Sequence, residues 1–216
     1  MTATDSVTSP QLGTRQDRSR QTKQRLLDAT IDSIIEVGYA RTSMQELCTR
    51  AGISRGAQLH HFPTKEKLMA AAVVQLGEKQ LAHAGKVADR QPPGVDRVDV
   101  VLDQLVRGFS GRLAQAILEL WIAARTDPEL RASVTSMEHD LTLRTEQFAR
   151  DFLGDALDEA AFQSMFGVTL FVMRGVALDE ILRPTSTQRD ELLKSWRDVA
   201  KRGYLAASQG SLDTAE

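Results

Sequence analysis

Apolar residues recur every three or four positions along almost the whole chain, from about residue 17 to residue 207. This spacing places them on one face of an α-helix, whereas the alternation typical of a half-buried strand is almost absent. The first such segment has one apolar stripe, formed by Leu27, Ile31, Ile34 and Ile35. The pattern therefore predicts an all-α fold.

Capping residues divide this pattern into about nine helices. A helix start favours a Ser, Thr or Asp whose oxygen binds a free backbone N–H, and Gly or Pro marks a helix end. Ser43 with Glu46 three residues later has the capping-box pattern. The other predicted starts are Ser54, Thr64, Asp127, Asp158 and Thr187, and the predicted ends include Gly38 and Pro184.

We predict four regions along the chain. Residues 1–16 are a disordered tail rich in Thr and Ser, residues 17–70 a helix-turn-helix domain, residues 71–207 a helical body and residues 208–216 a C-terminal tail. The segment "QPPGVD", residues 91–96, interrupts the helices and marks a further connection within the body.

Charge is distributed unevenly between these regions. The net charge is −2, yet residues 1–70 hold 10 Lys and Arg against 7 Asp and Glu, whereas the remainder holds 17 against 22. The basic excess lies mainly in "RQDRSRQTKQR", Arg15 to Arg25, which is either a nucleic-acid-facing arm or a solvated one. Cys48 is the single cysteine, and no signal or membrane segment stands out, so we expect a cytoplasmic protein.

The stretch "ELCTRAGISRGAQLHHF" has the features of a helix-turn-helix. Ala51 allows close approach of two helices, and Gly52 can adopt a positive φ. Ile53 fills the core and Ser54 starts the second helix. The second helix is polar, as a helix in a DNA major groove must be.

Individual side chains of this stretch suit contacts with DNA. Arg55 can bond bidentately to guanine and Gln58 can pair with adenine. Thr42, Ser43 and Lys65 stand at helix starts, where backbone N–H groups and side chains together bind phosphates. From the residues alone, this helix pair is either ordinary packing, which is the commoner case, or a surface for a double-stranded DNA operator.

The segment "TSMQELCTRAGISRGAQLHHFPTKEKL", Thr42 to Leu68, resembles the DNA-binding signature of the tetracycline-repressor (TetR) family. The preceding helix also resembles that family and ends in its Gly-aromatic turn, Gly38-Tyr39; the resemblance covers about residues 20–70. Two positions depart from the family pattern. Leu59 replaces a usual Tyr, which removes a hydroxyl–phosphate bond but leaves an apolar contact for a thymine methyl, and Cys48 replaces a usual Ala.

The resemblance implies a role for each matching position. The groove-facing set it implies is Arg55, Gly56, Ala57, Leu59 and His60. Gln45 of the preceding helix reaches a base, whereas the position of Gln58 is commonly apolar and partly buried in the family. The phosphate contacts it implies are Thr42, Ser43, His61 and Lys65.

The pair His60–His61 and the residue Cys48 could each have a functional or a purely structural role. His60 and His61 suggest a metal site, but adjacent residues of a helix point about 100° apart, so we predict no metal and no cofactor. Cys48 is either a redox sensor or, as we favour, a small core residue.

In the body, one helix carries an apolar side that is either intramolecular core or a homodimer seam made with the last helix. A symmetric pair suits half-sites a helical turn apart, and the resemblance implies dimerisation through the last two helices. The predicted seam is Phe162, Phe166, Thr169, Leu170, Met173, Ala177 and Trp196.

A second apolar set is either core or the lining of a pocket for a small apolar effector, and the resemblance implies a pocket within residues 95–183. The predicted lining is Phe109, Leu113, Ile117, Trp121, Met137, Leu141, Phe148 and Met165. No nucleophile, base and acid form a recognisable set, so we predict no enzyme.

These patterns together predict a ligand-responsive transcriptional repressor that binds a palindromic operator as a dimer. One alternative keeps the DNA-binding head but gives the body a protein partner instead of an effector. A second alternative is an all-α binding protein or enzyme with a vestigial helix-turn-helix.

Overall fold

The computed structural model describes residues 15–92, 94–154 and 159–210, without the side chains of residues 161 and 205–210. Within these residues every regular element is an α-helix, and the all-α prediction is confirmed. The helices are α1 (Arg15–Arg41), α2 (Met44–Ala51), α3 (Arg55–His61), α4 (Lys65–Asp89), α5 (Arg97–Gly108), α6 (Gly111–Ala124), α7 (Pro128–Leu153), α8 (Glu159–Leu182) and α9 (Thr187–Gly210).

Most predicted helix starts are confirmed by hydrogen bonds. The side chains of Ser43, Thr64 and Asp127 accept from the backbone N–H three residues on, at 3.1, 3.3 and 2.9 Å. α9 begins at Thr187, and Ser186 rather than Thr187 caps it, through Arg189 N–H at 3.2 Å. The predicted cap Asp158 and the tails at residues 1–14 and 211–216 lie outside the described residues.

The first helix is longer than its stop signal predicts. Gly38 leaves the helical conformation (φ 79°, ψ 167°), but helical turns continue to Arg41. Arg15 and Gln16, which were predicted to belong to the disordered tail, lie in α1. The change of direction at Gly38 brings Tyr39 toward the starts of α4 and α7.

Two apolar clusters hold the helices together. The first joins α1, α2 and the start of α4 to α6 and the first half of α7, with Ile34, Leu47 and Leu120 fully buried. The second joins α5, α8 and α9 around Leu102, Phe162 and Tyr204. The predicted boundary between residues 70 and 71 falls inside α4, and the domain limits stay predictions.

The helices α4 and α7 approach each other closely because Gly77 has no side chain. A Cβ on Gly77 would lie 2.5 Å from Leu141 Cδ2, far inside van der Waals contact. Gly77 and Leu141 also lie on the wall of a cavity that the following part of α4 lines. None of the helices described here is long and apolar enough to cross a bilayer.

Candidate nucleic-acid interface and effector cavity

The turn between α2 and α3 has the conformation that the sequence predicts. Gly52 is left-handed, with φ 63° and ψ 44°, and its N–H bonds to Thr49 O at 3.2 Å. Ile53 N–H then closes the turn on Cys48 O at 3.0 Å. Ser54 Oγ accepts from Ala57 N–H at 3.2 Å and starts α3. These local bonds determine the conformation of the turn and the first residue of α3.

One face of α3 is open to solvent. Arg55, Gly56 and His60 are exposed, and Leu59 is 50% exposed despite its apolar side chain. Ala57 and His61 are half-buried at the edge of this face. These residues form one continuous face of α3 with a single fixed charge, that of Arg55. On α2, Gln45 is also exposed.

The predicted adenine contact of Gln58 is wrong. Gln58 is only 1% exposed, and its Nε2 donates to Phe62 O inside the head. The side chain therefore closes the C-terminal end of α3 instead of facing the groove. The resemblance, which implied a partly buried position, was the better guide to this residue.

The phosphate contact predicted for the side chain of Thr42 is also wrong. Thr42 is 2% exposed, and its hydroxyl donates to Gly38 O at 2.8 Å and pairs with Ser33 Oγ at 2.9 Å. Both bonds secure the bend at Gly38. Ser43 is exposed, and because its Oγ accepts from Glu46 N–H, its own hydroxyl hydrogen remains available to a phosphate.

Lys65 has a structural contact that its sequence position does not reveal. Its Nζ donates to Tyr39 O at 2.7 Å and lies 4.0 Å from the centre of the Tyr39 ring. Burial lowers the pKa of Lys65, against the attraction of Glu66 and Asp127. An ammonium carries three donors, so two remain for a phosphate.

Tyr39 connects the head to the body. Its hydroxyl is shared between Glu66 Oε1 at 3.2 Å and Asp127 Oδ2 at 3.1 Å. Burial, followed by these carboxylates, raises the pKa of Tyr39, so the hydroxyl stays a donor at all ordinary pH values. The ends of α1, α4 and α7 therefore share one polar cluster.

The basic segment of α1 lies against the turn. Lys23 Nζ is 5.7 Å from the centre of the Phe62 ring, and Arg25 Nη1 lies 3.8 Å from where a Cβ of Gly52 would stand. The neighbouring His61 has a lowered pKa, first through burial and then through the charges of His60 and Lys23. Cations of α1 therefore lie beside the turn and beside the C-terminal end of α3.

The body contains a cavity of about 380 Å³ between α4, α5, α6, α7 and α8. Five of the eight predicted lining residues lie on it: Phe109, Leu113, Ile117, Leu141 and Phe148. The other three predictions are wrong, because the phase of each helix turns the residue elsewhere. Trp121 and Met137 pack in the first cluster, and Met165 packs in the second, beside Gly203 of α9.

The sequence analysis did not predict two parts of the cavity wall. Gln80, His83 and Ala84 of α4 line it, because this helix extends well past the predicted head. An ion pair also lines it, with Arg174 Nη2 at 2.8 Å from Glu138 Oε2. Burial raises the pKa of Glu138, although Arg174 and a hydrogen bond from Trp121 oppose the shift. No short motif in the sequence predicts this pair, whose members are on different helices.

The predicted dimer seam is wrong as a set, and the intramolecular alternative describes it. Each of its seven residues is at most 9% exposed within one chain: Phe162, Phe166, Thr169, Leu170, Met173, Ala177 and Trp196. Phe162 stacks on Phe166 at 5.6 Å and contacts Tyr204 of α9 at 6.0 Å between ring centres. This face of α8 is buried by α5, α6 and α9 of the same chain.

The opposite face of α8 is apolar and exposed. Its residues recur at alternating steps of three and four, the spacing of a coiled-coil seam: Val168, Phe171, Gly175, Leu178 and Leu182. Phe171 and Leu182 are 73% and 74% exposed. Leu192, Ser195 and Val199 repeat the spacing on α9. The spacing of these exposed residues can be read from the sequence. The buried apolar residues of α8 have a similar spacing, and the prediction chose them instead.

Known transcriptional regulators are similar to this chain along most of its length. Residues 26–72 match the family model for bacterial regulatory proteins, tetR family. An uncharacterized HTH-type transcriptional regulator of Mycobacterium tuberculosis is 32% identical over 166 residues, which are 76% of this chain and 85% of that protein.

Solved structures share the fold. A TetR transcriptional regulator from Rhodococcus sp. RHA1 has a TM-score of 0.61 at 20% identity, over 85% of this chain and 97% of that one. The multidrug binding protein EbrR complexed with ethidium has a TM-score of 0.57 at 22% identity, over 85% and 98% of the two chains.

Proposed function

We propose, since this chain belongs to the TetR family of bacterial regulatory proteins, that it is a ligand-responsive repressor without catalytic activity. In this proposal a homodimer binds a two-fold symmetric operator on the chromosome, in the cytoplasm. The observation that carries the proposal is the exposed face of α3, which Gly52 and Ser54 orient and which has Arg55 at its start.

The proposed reading of bases depends on α3 and one residue of α2. Arg55 bonds to a guanine, Leu59 contacts a thymine methyl, and His60 and Gln45 reach neighbouring base edges. Gly56 and Ala57 keep the helix thin enough to enter the groove. Ser43, His61 and Lys65 bind phosphates and fix the register, with help from the cations of α1.

The proposed dimer uses the exposed faces of α8 and α9. A single α3 contacts only a few base pairs, whereas a symmetric pair reaches two half-sites about 34 Å apart or a multiple of that distance. The spacing of Phe171, Leu178 and Leu192 suits packing against the same residues of a second copy. Gly175 and Ser195 allow the helices to approach closely.

The proposed effector site is the cavity of the body. Its volume of about 380 Å³ is in the range of small-molecule sites. EbrR, which has a similar fold, is a multidrug binding protein with a structure in complex with ethidium. An effector that binds the non-operator conformation about 2–3 kcal/mol more tightly weakens operator binding about 30- to 150-fold.

A second candidate function gives the body a protein partner instead of an effector. Ile122 of α6 is 63% exposed and Leu143 of α7 is 51% exposed, and neither belongs to α8 or α9. Isolated apolar residues are common on protein surfaces, so we favour the effector.

The operator is tested by selection from sheared genomic DNA with the purified full-length protein, followed by sequencing of the retained fragments. A two-fold symmetric motif supports the dimeric reader, and the genes beside it narrow the search for the effector. A motif without symmetry contradicts the dimer. No enrichment, even at low salt, contradicts DNA binding by α3.

A further inference from the structure

The cavity of the body has an apolar floor and a charged rim. The floor consists of side chains that are buried or half-buried: Leu105, Leu113, Ile117, Leu141, Phe148 and Leu170. The exposed lining residues are Lys79, His83 and Arg107. A ligand that fills this cavity therefore needs an apolar body and a polar end that stays near α4 and α5.

The charges of the lining are not balanced. Lys79, Arg107 and Arg174 are cations, whereas Glu138 is the one acid of the described lining. Arg174 is bonded to Glu138, whose carboxylate also accepts from Trp121. Glu138 is thereby engaged by groups of the protein, and it offers little attraction to a cationic ligand.

The two exposed cations, Lys79 and Arg107, differ in whether they form an ion pair. Lys79 Nζ lies 2.9 Å from Asp28 Oδ1, so an acid of α1 already compensates its charge. Arg107 forms no ion pair with any side chain of the described residues. It is therefore the uncompensated positive charge on the rim of an otherwise apolar cavity.

We propose that the cavity binds an amphipathic organic anion, with its apolar body on the floor and its carboxylate at Arg107. This inference rests on the proposed effector site and specifies its ligand class. A guanidinium binds a carboxylate through paired N–H···O bonds, which a neutral ligand of the same shape cannot match. An organic cation is repelled by Lys79, Arg107 and Arg174, and Glu138, the acid of the described lining, is already bonded to Arg174. It is therefore expected to bind most weakly.

The test uses three aromatic probes of nearly the same shape: biphenyl carboxylate, biphenyl carboxamide and biphenylmethylamine. Calorimetry on the full-length protein at low salt measures their dissociation constants. The carboxylate is expected to bind about fivefold more tightly than the carboxamide, because the rim is partly solvated. High salt is expected to reduce this preference, because it screens exposed charges. Equal binding of the carboxylate and carboxamide, tighter binding of the amine, or no binding of any probe would overturn the proposal.

Substitutions locate the anion. Arg107→Gln is expected to abolish the preference for the carboxylate and leave carboxamide binding unchanged, whereas Arg107→Lys retains part of it. Arg90→Gln makes the same charge change at an exposed site beyond α4 and is expected to keep the preference. If Lys79→Gln removes the preference and Arg107→Gln does not, the assignment to Arg107 is wrong.

Binding to operator DNA is measured separately, without any probe. Operator binding with no anion preference overturns this inference alone. Anion preference without operator binding contradicts the proposed function and leaves the ligand class intact.

Discussion

The helices α3 and α8 both have an exposed face, but for different reasons. The exposed face of α3 is the proposed DNA-reading surface, and that of α8 is apolar. α3 has seven residues and buries one of them, Gln58, so most of its surface faces outward by default. α8 has 24 residues with apolar side chains on two faces, one buried by α5, α6 and α9 and one open. A short helix oriented by its turn becomes a reading surface, whereas a long helix that is apolar all round requires a second partner.

The sharpest difference within α8 is between Phe162 and Phe171. Phe162 is fully buried, so Phe162→Ala is expected to lower the free energy of unfolding by about 3–5 kcal/mol. Because its contacts are within one chain, this loss should not depend on protein concentration. Denaturant unfolding at several concentrations measures it. A loss that shrinks on dilution would place Phe162 in a subunit interface after all.

Phe171 is the matched test of the open face. Phe171→Glu is expected to give a folded monomer and to weaken operator binding about 100-fold, because one head is lost from the site. Sedimentation and operator titration measure the two effects. Ile122→Glu makes the same change at a similarly exposed site on α6 and should leave the dimer intact. Equal dissociation by both variants would refute the proposed seam.

Arg55 tests the reading surface of α3. Arg55→Ala is expected to cost about 1–3 kcal/mol on the operator and to relax the preference at one base position. Competition against operators with single base changes measures this. If base preference is unchanged, Arg55 does not enter the groove.

Lys65 tests a phosphate contact, in contrast to the base contact proposed for Arg55. Lys65→Ala is expected to weaken all DNA sequences alike and to reduce the salt dependence by about one phosphate contact. It also removes the bond to Tyr39 O, so a thermal melt must accompany the titration. An unchanged salt slope would leave Lys65 with its structural contact alone.

Gln58 has the smallest expected effect. Gln58→Leu is expected to change operator affinity less than about twofold and to leave base preference unchanged, because the side chain faces the core. The same competition assay as for Arg55 decides the point. A relaxed preference opposite an adenine would restore the contact that burial argues against.

The parts of this protein that follow from local chemistry could be predicted. Gly52, Ser54 and the capping pair Ser43–Glu46 determine their own backbone bonds, so the turn and the course of α3 follow from neighbouring residues. The choice between the two apolar faces of α8 could not be predicted. It depends on α5, α6 and α9, which reach that helix only in the folded chain.

The same limit applies to the cavity and to Thr42. The floor residues Leu113 and Ile117 followed from helical spacing, but the α4 wall and the Glu138–Arg174 pair depend on how distant helices cross. Thr42 stands at a helix start, which favours a phosphate contact, yet the bend at Gly38 carries it inward. Long-range packing decided each of these residues.

If α4 turns about its close contact with Leu141, the position of Gly77 determines how far the DNA-binding end of the helix moves. The stretch from Lys65 to Gly77 is about 18 Å long at the helical rise, so a rotation of about 5° there displaces Lys65 by about 1.6 Å. In a symmetric pair the displacements add to about 3 Å, against half-sites about 34 Å apart. A side chain at Gly77 would have to displace the end of the Leu141 side chain, which lines the same cavity. A substitution at Gly77 would therefore alter the cavity wall and the α4–α7 crossing at the same point.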